Sequence, residues 1–272
     1  MKRLSLLTLV LALGLLIAPA FAQPTANLMD TCVETFDPAV DYFPDKAVIT
    51  HAQGLQIAYF GHYKVVPVPT PWFGPRGDVA FPYVLPQCGT PPPDAADFPA
   101  GTQFIEVPAD TIIAMSTAQL PHIQSLGLLD QLVGVDSFLW PYMPEARARF
   151  DDGSVIEVGN GATVNVELVI DAEPSIVMTN ATGSAEFDAH PALLEAGVFV
   201  ALDADYVEPT LLGRAEWIKF MAAFYNLEAQ AEATYTDVVA DYQSVADLTA
   251  NIPPDERLTI LWNSYQGFTE SW

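Results

Sequence analysis

Short apolar runs broken by Gly and Pro dominate residues 47–87. The segments AVITHA, LQIAYFGHYKVVPV and AFPYVLP are rich in Val, Ile, Tyr and Phe. They read as strands of a small antiparallel module, with PTPWFGPRGD between the last two as a loop. GTPPPDAADFPAG (89–101) reads as a linker and a module boundary. From residue 102 the pattern becomes an alternation of short strands and helices. TQFIEVP is a strand, and TAQLPHIQSLGLLDQL is a helix with Leu120, Ile123, Leu126 and Leu129 on one side. VGVDS is the next strand. After a loop come the NVELVIDAEP helix, the SIVMT strand, the FDAHPALLEAG helix and the VFVAL strand. This spacing predicts parallel β-α-β units and an α/β fold. Ligands of such sheets bind beyond the carboxyl ends of the strands, which directs attention to STAQLP (116–121), DSFLWPYMP (136–144), GNGATV (159–164) and TNATGSAEF (179–187).

The pattern then changes to long helices. From Pro209 to Phe224, Trp217, Phe220, Met221 and Phe224 recur at helical spacing. Asn226 tolerates a left-handed conformation and ends that helix. A second helix is predicted from about Glu228 to Ala250, with Ala231, Tyr235, Val238, Tyr242 and Val245 on one face. At 1.5 Å per residue it spans about 30 Å, the width of a small domain. LTILW then reads as a fresh strand with too little chain after it to build a core. The expectation is a two-lobe protein joined by a stiff helical connector, with the second lobe mostly missing. The expected divisions are 1–22 targeting segment, 23–101 β-rich module and linker, 102–208 first α/β lobe, 209–250 connecting helices, and 251–272 the start of the second lobe.

Composition sharpens this picture. The chain has 272 residues and is 51% hydrophobic, which excludes a disordered polypeptide. A formal charge of −24 disfavours nucleic acid and anionic membrane surfaces as partners. Lys2 and Arg3, the apolar run from Leu4 to Pro19 and Ala20-Phe21-Ala22 form a cleavable secretory signal, so the mature protein is expected in the periplasm or otherwise exported and soluble. No Cys follows the small-residue site, which argues against a lipid anchor there. In an oxidising compartment the two cysteines, Cys32 and Cys88, most simply pair as a disulfide.

Three stretches together, RAEWIKFMAAFYNLEAQA, NVELVIDAEPSIVMTN followed by LLEAGVFVAL, and STAQLPHIQSLGLLDQLVGV, resemble the helical-backbone solute-binding proteins of ABC importers. Those proteins carry ferric siderophores, haem or cobalamin between two α/β lobes bridged by one long helix. The module with FPYVLPQCGTPPP is similar to an N-terminal extension in one branch of that family. The resemblance implies a monomer that binds a small-molecule chelate and docks on an ABC permease, with no catalysis and no cofactor of its own.

For a bulky ligand the chemistry is recognition by aromatic faces and a few orienting polar groups. Trp140 and Tyr142 fit the first role, or else serve as surface packing. Asn160, Thr163 and Asn180 offer neutral hydrogen-bonding groups and are also turn-forming residue types. Ser116, Thr117 and Gln119 either donate to ligand or cap a helix. The resemblance places Glu186 where a lobe presents a carboxylate to the transporter; a solvated charge is the alternative. Arg214 is expected to tie helix to lobe through a nearby acid, and Arg147 and Arg149 lie near the cleft. The four histidines, His51, His62, His122 and His190, lack zinc-site spacing, so no metal site is expected. A free-metal binder using His122 and nearby acids is one alternative function. An exported enzyme is a weaker one, since the chain has neither a G-x-S-x-G elbow nor a phosphate loop.

Overall fold

The computed structural model describes residues 23–69, 71–73, 80–253 and 255–259. The targeting segment and most of LTILW lie outside the described residues. Among the described residues nine strands form two sheets. In the first, β1 (Ala58–Phe60), β2 (Tyr63–Val68) and β3 (Phe81–Pro86) pair antiparallel, and β4 (Gln103–Phe104) joins β3 in parallel. The second contains β5 (Ile112–Ala114), β6 (Leu132–Val135), β7 (Ile156–Glu157), β8 (Ile176–Thr179) and β9 (Val200–Leu202). All its pairs are parallel, in the order β7-β6-β5-β8-β9. The chain winds outward from β5 in one direction through β6 and β7, then returns to the other side of β5 through β8 and β9. That is a doubly wound α/β sheet whose switch point lies between β5 and β8.

The connecting helices are short: α1 (Gln119–Ser125), α2 (Pro144–Asp151), α3 (Val166–Asp171) and α4 (His190–Glu195). Helix α1 stops sooner than its apolar stripe suggests, because Gly127 adopts φ +69° and the Leu128 amide donates back to the Ile123 carbonyl. Helix α2 and strand β7 occupy a region expected to be loop. Pro144 supplies the fixed φ that starts a helix, so here proline opens an element. The central strand β5 was not anticipated: its three buried residues are too few to show a period.

After α5 (Leu211–Ala215) come α6 (Ile218–Ala223) and α7 (Glu228–Ala250). The helix expected over 209–224 divides where the Lys219 and Phe220 amides donate to the Glu216 and Trp217 carbonyls three residues back, and Glu216 and Trp217 are both buried. Asn226 takes φ 59° between α6 and α7, as anticipated. On α7, Ala231 and Tyr235 are buried, whereas Val238, Tyr242 and Val245 of the same predicted face are exposed.

The N-terminal segment is stitched to these helices. AVITHA is not a strand: the amides of Thr50, His51 and Ala52 donate to the Glu216 carboxylate, and those of Gln53 and Gly54 to Glu208. Buried carboxylates replace a partner strand, so tertiary context overrides β propensity. Lys64 is buried and paired with Glu228 at 2.7 Å. Strand β4 belongs to the first sheet, against the expected grouping with the alternating region. From there the Gln103 amide bonds both backbone groups of Val200, at 2.7 and 2.8 Å, and the Leu202 amide donates to the Tyr83 hydroxyl. These contacts cover the outer edge of β9. One continuous core runs from Phe43, Val66 and Tyr83 through Ile112 and Ile176 to Trp217 and Phe224. A Cys32–Cys88 disulfide, Cα atoms 4.9 Å apart, holds the N-terminal segment to the end of β3. Beside it Gly89 (φ +78°) passes so close to Val33 that a Cβ would lie 2.1 Å from its carbonyl oxygen.

Candidate functional site

Every candidate ligand residue lies after a strand, at the carboxyl edge of the parallel sheet. Three loops build the edge. The first follows β6 and is pinned through Phe138: its amide donates to Glu157 at 2.6 Å, its carbonyl accepts from Arg147, and its ring stacks on Phe150 at 4.7 Å. With Phe138 held, the next residues face solvent. Trp140 is 63% exposed and Tyr142 87%, beside an exposed Leu139. Arg147 thus positions the loop. Arg149 instead pairs with Asp130 at 3.0 Å.

The second loop follows β8 and is closed by Asp188, which accepts from the Thr182 amide and hydroxyl and from the Gly183 amide, at 2.7 to 3.0 Å. Sequence reading missed Asp188; its signal is an acid spaced to fold back on a Thr-Gly turn. Glu186 and Phe187 project from this loop, exposed. Gly183 (φ +83°) is packed on the Trp72 indole so tightly that a Cβ would sit 2.5 Å from Nε1. Trp72 also stacks on His190, and exposed Phe73 meets Tyr206 edge-on at 5.4 Å. The N-terminal module therefore reaches this edge, which no local pattern announced. The third loop follows β7. The Thr163 hydroxyl donates to the Asn160 carbonyl at 2.8 Å, and Gly161 packs on the Phe187 backbone. Both Asn160 and Thr163 are exposed.

Below this rim lies a buried polar floor. Asn180 donates to the Asp203 carbonyl at 3.0 Å, tying the ends of β8 and β9. Ser116 accepts from the Ala118 amide, while Thr117 is exposed; the residue that opens α1 is Ala118, with no side-chain cap. Gln119 is fully buried, and its side-chain amide lies against the Asp203 carboxyl without a hydrogen bond of good geometry. Burial, then the neighbouring Asp205 charge, pushes the Asp203 carboxyl up to about 8. Asp205 is also raised by burial, with Arg214 pulling the other way. Arg214 donates to the Glu208 backbone carbonyl six residues back, a local bond at the start of α5 where a tie through an acid side chain was expected. Burial pushes the His122 imidazole down to about 4. Among the described residues no group of three or more His, Cys, Asp or Glu side chains is placed to hold a metal ion. No helix among them is long and apolar enough to cross a membrane.

Comparison with known proteins bears on this architecture. Two uncharacterized lipoproteins of Methanocaldococcus jannaschii are similar to the chain. One is 26% identical over 201 residues, covering 70% of this chain and 46% of the relative. The other is 29% identical over 165 residues, covering 58% and 41%. The chain thus spans less than half the length of these curated relatives. Among solved structures, a periplasmic heme binding protein from Pseudomonas aeruginosa is 21% identical with a TM-score of 0.42, over 52% of this chain and 47% of that one. The model of the family described as periplasmic binding protein matches residues 112–269, from the central strand β5 through the long helix α7 and beyond. The chain belongs to the periplasmic binding protein family.

Proposed function

We propose that this protein is the exported ligand-binding component of an ABC importer for an iron chelate such as a ferric siderophore, or for haem or cobalamin. One observation carries the reading: Trp140, Tyr142, Phe187 and Phe73 stand exposed along one sheet edge, on loops pinned from beneath by Phe138 and Asp188. Aromatic faces carried on loops whose backbone is already held suit a bulky ligand, because little loop entropy is lost on contact. Asn160, Thr117 and Ser116 lie at the same edge and supply neutral hydrogen-bonding groups to its periphery. Thr163 and Asn180 shape the loops, since their side chains bond backbone carbonyls. Gln119 belongs to the floor. Membership of the family and the sequence resemblance to carriers of these chelates both support this function. The protein acts as a monomer and hands its ligand to the membrane permease, with Glu186 on the exposed loop as the docking carboxylate.

The test is a tryptophan-fluorescence titration of the protein, and of any longer form of it, with a ferric hydroxamate, haem and cyanocobalamin. One of them is expected to quench saturably, with Tyr142→Ala weakening it about tenfold and Trp140→Phe removing part of the signal. Absence of saturable binding to all three by the folded protein would overturn the proposal.

A further inference from the structure

The opposite end of the parallel sheet, where the strands begin, holds a cavity of about 450 Å³. Its walls come from the segment carrying the Cys32–Cys88 disulfide, the residues entering β5, the turn after α1, and the turn between α6 and α7. Three carboxylates line it, from Asp30, Glu106 and Asp110, and no Lys, Arg or His does. Acidic residues alone would signify little on a chain of this charge. The floor is different. Tyr225 is 3% exposed and its hydroxyl has no hydrogen-bond partner; the Gln131 side-chain oxygen in the same lining is likewise buried and unpaired. Leaving such an atom unpaired costs about 1–3 kcal/mol, and a native structure retains it where something outside the chain completes the bond. Burial, then the Asp110 charge, raises the Tyr225 phenol well above its usual range.

We infer that this cavity is a second binding site, separate from the carboxyl edge, and that it takes a small organic cation bearing a primary ammonium group. An ammonium offers three donors and no acceptor. The Gln131 and Tyr225 oxygens at the floor and a carboxylate at the rim are acceptors to match. A metal ion fits less well, since among the described residues no three His, Cys, Asp or Glu side chains are grouped to hold one. A neutral molecule would forgo the attraction of these three carboxylates. The volume falls within the range of small-molecule sites.

Putrescine is the probe, with butanediol as its neutral counterpart, titrated calorimetrically into the full chain at physiological salt. Putrescine is expected to bind saturably at one site, and butanediol at least about tenfold more weakly. Tyr225→Phe removes only the unpaired hydroxyl and Asp110→Asn only an exposed charge, so both proteins fold; each is expected to weaken putrescine about fivefold or more. Asp237→Asn, an exposed acid on α7 outside the cavity, is expected to change nothing. Equal weakening by Asp237→Asn would reveal attraction to net charge alone and overturn the inference. So would failure to saturate by about 10 mM, or equal binding of butanediol. None of these outcomes bears on chelate binding at the other edge.

Discussion

Two polar regions of this molecule are buried, and they are built on opposite terms. Where the N-terminal segment meets α5 to α7, every buried charge has partners. Lys64 bonds Glu228 and the Asn226 side chain, and Glu228 also accepts from Asn27. Lys219 bonds Glu216 at 3.1 Å and Glu232 at 3.0 Å. Glu216 accepts three backbone amides, and Glu208 accepts two together with the Trp217 indole. At the carboxyl edge of the parallel sheet pairing is sparser: the Gln119 amide lies against Asp203 without a hydrogen bond of good geometry, and the Asp203 carboxylate accepts the Asp205 amide at 3.1 Å while the Asp205 charge stands close by. Fully satisfied networks lock one arrangement, whereas under-paired groups keep bonding capacity in reserve. The seam fixes the architecture, and the edge retains capacity for function.

The most severe way to break this contrast is to remove one member of the seam's ion pair. Glu228→Ala strands a buried Lys64 ammonium and should cost about 3–5 kcal/mol in urea unfolding. Replacing both partners, Lys64→Met with Glu228→Leu, should recover most of that loss, because no buried charge is then left alone. A smaller loss, about 2–3 kcal/mol, is expected for Glu216→Ala, which deprives the amides of residues 50–52 of their acceptor.

The two regions also respond to pH with opposite sign. Burial pushes the Glu216 carboxyl up, but the amide donors of Ala52, His51 and Thr50 outweigh it and hold the group below its ordinary value. Its contribution is present above the unfolded pKa and lost as pH falls through the folded one. Asp203 is raised, so between about 4 and about 8 the folded form keeps a proton that the unfolded chain has released. Stability should therefore decline as pH rises through that window, by at most about 1.4 kcal/mol per unit. Asp203→Asn should flatten the decline, read as melting temperature at pH 5 and pH 8. An unchanged slope would show that Asp203 ionises normally.

Much of the fold was legible because burial leaves a periodic trace. The IVM of SIVMT and the whole of VFVAL are apolar runs, as strands covered on both faces must be, and both segments hold buried strands. Helix α7 took the span its pattern indicated, Glu228 to Ala250. Short or interrupted elements were not legible. Strand β5 is three residues long, and α2 begins in a Pro-rich segment that reads as loop. Of the candidate site, the sequence located the loops, since they follow the strands. It did not reveal which polar side chains stay available: Thr163 and Asn180 are committed to backbone carbonyls, and Gln119 lies beneath the surface.

By itself the sequence determined the α/β class, the loops that form the carboxyl edge of the sheet, and the long helix α7. All three follow from hydrophobic period and chain order, which are local properties. Only the tertiary structure decided that residues 50–54 are held by Glu216 and Glu208, that Gln103 and Tyr83 cover the edge of β9, and that Trp72 and Phe73 reach the site. Each of these pairings joins residues about a hundred or more positions apart. The reason is physical: a buried carboxylate or amide must find whichever partner the packed chain brings to it, and no spacing along the sequence encodes that meeting.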